Sequence, residues 1–166
     1  MLQDDCTPTH IDRTARQGWL RLLSHAPLDL LECELGALTG PHPQWLRRPE
    51  IGLVMVQGRI GGTGARFNLG EVTVTRCALR TDPGRITCRE VGVAYVLGRS
   101  VRHAELAATA DALLQDPLTR DRIPSNLLDR IAASLDSEHA KRRAQIRATR
   151  VEFFTVARES GATDAP

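Results

Sequence analysis

Between Gly58 and Gly64 the chain places four glycines, flanked by two arginines: Gly58-Arg-Ile-Gly-Gly-Thr-Gly-Ala-Arg66. Glycine permits torsions that a side chain forbids, so successive backbone N–H groups can converge on one anion. Arginine adds a rigid fork of donors matched to phosphate or carboxylate. Gly61, Gly62, Thr63 and Gly64 are therefore a candidate anion-binding nest, with Arg59 and Arg66 as candidate cationic contacts. A tight structural turn is the competing reading. The loop is not a Walker A motif, because no Gly-Lys-Ser/Thr follows Gly64. Nor is it a dinucleotide fingerprint: Phe67 stands where that pattern needs glycine, and a strand follows rather than a helix. A second Gly-Arg step, Gly98-Arg99, also falls at a strand end. If the two ends are neighbours, Arg59 and Arg99 line one rim suited to a phosphorylated ligand or an acidic partner.

Other chemistry is thinly represented. His103-Ala-Glu105 matches the start of a zinc-deaminase signature, but no Pro-Cys-x-x-Cys follows, so His103 is expected to be a surface residue near a helix cap. His103 and Asp111 make a weak metal pair, and no metal site is assigned. No Gly-x-Ser-x-Gly occurs, and Ser24-His25, adjacent on a helix, point to different faces. Cys6, Cys33, Cys77 and Cys88 form no C-x-x-C pair and read as small buried hydrophobes. No catalytic residue is assigned.

The elements that must hold these residues follow from periodicity. At 166 residues the chain reads as one domain over 1–166, with 1–10 and 160–166 expected to be disordered. A net charge of +2 argues against nucleic acid as a partner, and no apolar run reaches membrane-spanning length. Met1-Leu-Gln-Asp-Asp shows no leader pattern, so a soluble cytoplasmic protein is expected. Thr9 opens a helix carrying Ala15, Trp19, Leu22 and Leu23; after Pro27 a second carries Leu28, Leu31, Leu35 and Leu38, giving an N-terminal helical hairpin. Pro41, Pro43 and Pro49 mark an extended connector. Ile51–Gln57 reads as a largely buried strand and 71–81 as an alternating one. After the Asp82-Pro83-Gly84 turn, 85–89 and 91–97 read as two strands or one bulged strand bent near Gly92. Ser100 caps a third helix, and Ser125 opens a long C-terminal one whose charged second half leads into Val151, Phe153, Phe154 and Val156. The fold class is α+β: helical hairpin, antiparallel sheet of about four strands, a helix, then a long C-terminal helix.

The stretch Arg48-Pro-Glu-Ile-Gly-Leu-Val-Met-Val-Gln-Gly-Arg-Ile-Gly-Gly-Thr-Gly-Ala-Arg-Phe-Asn-Leu-Gly-Glu-Val-Thr-Val-Thr-Arg76 is similar to the core of the PhnG family, a subunit of the bacterial carbon–phosphorus lyase system. Tyr95-Val-Leu-Gly-Arg99, the helix from His103 to Leu114, Arg16-Gln with Trp19, and Arg150-Val-Glu-Phe-Phe-Thr-Val-Ala-Arg158 fit the same family in the same order. Glu152 stands where the family pattern has aspartate, and residues 81–91 exceed its usual hairpin. The resemblance implies assembly with PhnH-, PhnI- and PhnJ-like core subunits and PhnL/PhnK-like ATPases. It implies support for displacement of adenine from ATP by a phosphonate, with no cofactor of the chain's own. Cleavage of the carbon–phosphorus bond, with its iron–sulfur cluster and S-adenosylmethionine, falls to the PhnJ-like partner. The charged-then-aromatic C-terminus, Arg150, Val151, Phe153 and Phe154, is the candidate partner interface. The alternative is a stand-alone binding module for a phosphorylated small molecule, using the glycine loop with Arg59 and Arg99.

Overall fold

The computed structural model describes residues 13–38, 43–80 and 90–151. Its elements run α1 (Arg13–His25), α2 (Leu28–Leu35), β1 (Gln44–Arg59), β2 (Arg66–Arg80), β3 (Val91–Leu97), α3 (Val101–Gln115), a short α4 (Pro117–Arg120) and α5 (Leu127–Ala148). The strands form an antiparallel meander in the order β1-β2-β3. The strand expected over 85–89, the Asp82-Pro83-Gly84 turn and the Thr9 cap lie outside the described residues.

The core is built around α3. From His103 to Gln115 every residue except Glu105 is buried. A helix apolar on all sides needs neighbours on all sides. One side lies on the sheet, where the ladder pairs Thr75 with Val96, Cys77 with Ala94 and Leu79 with Gly92, all buried. The other sides receive Trp19 and Leu23 from α1 and Leu31 and Leu35 from α2, while Leu127 and Ile131 of α5 extend the same buried cluster against α1. Ser100 Oγ accepts from His103 N at 3.3 Å, the cap read from sequence. At the other end, Thr119 Oγ1 donates to Leu113 O and the Arg120 guanidinium to Leu114 O, meeting carbonyls that the helix leaves without partners.

Two expectations about β1 are overturned. The strand begins at Gln44, so Pro49 lies inside it and not in a connector. Register shifts between Trp45 and Arg47, and between Arg47 and Glu50, put extra residues on β1 there. An edge strand at a bulge tolerates a residue without an N–H. The run 51–57 is also not buried, because the helical layer covers β3 and the adjoining half of β2 and stops short of it. Likewise, β2 starts at Arg66 rather than Glu71, and its first six residues are exposed. The outer half of the β1–β2 hairpin therefore stands clear of the body. Ser125 does not open α5, which starts at Leu127 after Asn126. From Asp136 to Ala148 every residue of α5 is exposed, so its charged half also projects.

Candidate functional site

The glycine loop is the tip of the free-standing hairpin. Arg59 pairs with Arg66 across the ladder, closing β1 on β2. Between them Ile60–Gly62 form a 3-10 turn, with positive φ at Gly61 (61°) and Gly62 (80°), where a side chain is strained. The N–H groups of Thr63 and Gly64 both donate to Ile60 O. The Arg59 guanidinium donates through Nη1 to Gly64 O at 3.0 Å. Gln57, Gly58, Arg59 and Arg66 line an open cleft of about 320 Å³. Just behind the tip, Leu69 is the extra residue of a bulge, and its side chain lies where a Cβ on Gly58 would sit, at 2.6 Å.

Arg99 is not part of this tip. Gly98 N donates to Thr73 O, and Thr73 is level with Leu53. Arg59 lies six residues beyond Leu53 on β1, a separation of about 20 Å along the strand. The rim expected from two Gly-Arg steps is therefore not formed. At the C-terminus, Arg150 N donates to Arg147 O and Val151 is 68% exposed, while Phe153 and Phe154 lie outside the described residues.

The most highly connected polar cluster is elsewhere. Asp111, fully buried on α3, accepts from Arg16 Nη2 (2.8 Å) and Nε (3.2 Å), Trp19 Nε1 (2.9 Å), Val93 N (3.0 Å) and Gln115 Nε2 (3.2 Å). Arg16 and Gln115 also donate to Val91 O. One carboxylate thus ties α1, β3 and α3 together. Its signal was present in the sequence: a lone aspartate in the apolar run Ala107–Leu114, with Arg16 and Trp19 three apart on α1. Arg120 lies over the ring of Trp19, its guanidinium carbon 5.9 Å from the centroid. That contact borders a cavity of about 540 Å³ walled by Ala15, Leu114, Ile123 and Leu128.

His103 is also corrected. It is buried, 8% exposed, with Nε2 2.8 Å from Leu23 O, so it links α3 to α1 and does not face solvent. Among the described residues no three His, Cys, Asp or Glu converge as a metal would require. No helix there is long and apolar enough to cross a membrane.

Cys33 is exposed, against expectation, whereas Cys77 is buried and donates through Sγ to Ala104 O at 3.2 Å. Cys6 and Cys88 lie outside the described residues. Burial first, then the nearby Glu105 carboxylate, pushes the Cys77 thiol from 9.0 up to about 12. The unfolded chain loses this proton near 9 and the folded chain holds it to about 12. Cys77 therefore leaves stability untouched below pH 9 and lowers it progressively between 9 and 12. In a variant with Cys6, Cys33 and Cys88 changed to serine, the remaining thiol is expected to ignore a disulfide reagent at pH 8 until denaturant is added. Rapid reaction in the native state would refute this placement.

Comparison with known proteins closes the site's context. The profile of the phosphonate metabolism protein PhnG family matches residues 14–159. The chain belongs to the PhnG family. A relative from Rhizobium meliloti (strain 1021), the alpha-D-ribose 1-methylphosphonate 5-triphosphate synthase subunit PhnG, is 42% identical over 144 residues. That alignment covers 86% of this chain and 88% of the relative. The PhnG match spans every element from α1 to α5, including the hairpin tip and the Asp111 cluster.

Proposed function

We propose that this chain is a subunit of the carbon–phosphorus lyase core in the cytoplasm. It supports the step in which a phosphonate oxygen replaces adenine at the ribose carbon of ATP, giving a ribose 1-phosphonate 5-triphosphate. The observation that carries this reading is the 42% identity, across nearly the whole of both chains, to the synthase subunit of that name. Its partners are PhnH-, PhnI- and PhnJ-like subunits with PhnL/PhnK-like ATPases. ATP and phosphonate are substrates of the assembly, and the iron–sulfur and S-adenosylmethionine chemistry belongs to the PhnJ-like subunit.

This chain contributes surfaces. The projecting hairpin presents Arg59 and Arg66 at its tip, shaped by Gly61, Gly62, Thr63 and Gly64, as cationic groups for a shared site. The second half of α5 leads into the docking segment that starts at Arg150 and Val151. Co-expression with the named partners tests this reading: the tagged chain is expected to bring them down in fixed proportion, and deletion of 151–158 to weaken that recovery. A chain that stays a soluble monomer among its partners defeats the proposal.

A further inference from the structure

Resting on the subunit reading above, we infer that the free edge of β1 over residues 50–56 seats a strand from a different subunit, one apolar in its alternate side chains and flanked by carboxylates. β1 is an edge: β2 takes one side, and no described strand takes the other. Its run Ile51-Gly-Leu-Val-Met-Val56 is apolar on both faces, the composition of a strand covered on both sides. Yet Ile51, Leu53, Val54 and Met55 are 50, 63, 39 and 47% exposed.

The edge is unevenly protected. Proline and bulges blunt an edge against pairing, and β1 has both, but only over Gln44–Glu50. From Glu50 to Val56 it pairs with Arg76 to Gly70 without a break, so the outward row of N–H and C=O groups stays regular where the side chains are most apolar. An added strand satisfies those groups and continues both faces. Ile51, Leu53 and Met55, level with Thr75, Thr73 and Glu71, share one face and Val54 lies on the other, so exposed apolar side chains flank the edge on both faces.

Charge selects the occupant. β1 and β2 carry Arg47, Arg48, Arg59, Arg66, Arg76 and Arg80 against Glu50 and Glu71. A second copy pairing antiparallel about Leu53 brings Arg47 and Arg48 of each chain beside Arg59 of the other, and like charges oppose it. A strand bordered by carboxylates meets the same arginines favourably.

Hydrogen exchange on the isolated chain and on the co-expressed complex reads this directly, because strand addition protects backbone amides. The expected result is slowed exchange within residues 50–56 in the complex only. Leu53→Thr/Met55→Thr keeps residues suited to a strand, so its unfolding midpoint should match wild type while partner recovery falls at least tenfold. Unchanged exchange at 50–56 in an assembled complex overturns this inference alone. Failure of the wild-type chain to assemble at all overturns the subunit reading with it. Protection that appears with a concentration-dependent dimer, or that is lost on removing 152–166, assigns the edge to a second copy or to the chain's own C-terminus and also overturns it.

Discussion

Asp111→Ala is expected to lower stability by about 3–5 kcal/mol, a large part of the roughly 5–15 kcal/mol that holds a domain of this size. The carboxylate is fully buried and accepts from two helices and a strand. Its removal orphans the Trp19 and Val93 N–H groups, at about 1–3 kcal/mol each. Arg16, whose side chain is 32% exposed, turns to water and limits the remainder of the loss. Asp111→Asn preserves volume but aims an amide N–H₂ at groups that are all donors, so it recovers only part of the deficit. Urea unfolding followed by tryptophan fluorescence measures both variants, since Trp19 is in the cluster. A loss under about 1 kcal/mol for Asp111→Ala would contradict this account of the cluster.

Gly92→Ala is expected to cost about 3 kcal/mol or more, beyond ordinary overpacking, because backbone stands in the way. A Cβ at Gly92 would lie 1.9 Å from Ala108 O and 2.8 Å from both Ala112 Cβ and Ala112 N. Relief requires prising α3, which carries most of the core, away from β3. Gly52→Ala is the matched control: nothing lies within 4 Å of its added Cβ, so the change should stay within about 0.5 kcal/mol. Thermal unfolding compares the two, and similar midpoints would show that α3 does not approach the sheet as described.

These two positions also show how far residue patterns carry. The stripes of α1 and α2 were legible because Trp19, Leu23, Leu31 and Leu35 repeat at helical spacing and are buried where that spacing puts them. The Ser100 cap was legible because its chemistry is local. Asp111 was not assigned, since its partners lie 95 and 92 residues away on α1. His103 was misplaced for the same reason, its acceptor being a carbonyl of α1. Gly92 could be read as a bend, but not as the contact that admits α3. The hairpin is the instructive failure. Periodicity reports that Ile51–Val56 should be covered on both faces without saying by which chain. Among the described residues it is open, and the inference above assigns its cover to a partner strand. The Arg59–Arg99 rim failed because strand length sets where ends fall, and β1 and β2 outrun β3.

The central claim is that this chain acts by completing an assembly. Purified partner subunits supplied with ATP and methylphosphonate, with and without this chain, test it through adenine release. Release is predicted only when the chain and its partners are present together. Adenine released by the chain alone, or undiminished release by the partners without it, would contradict the claim.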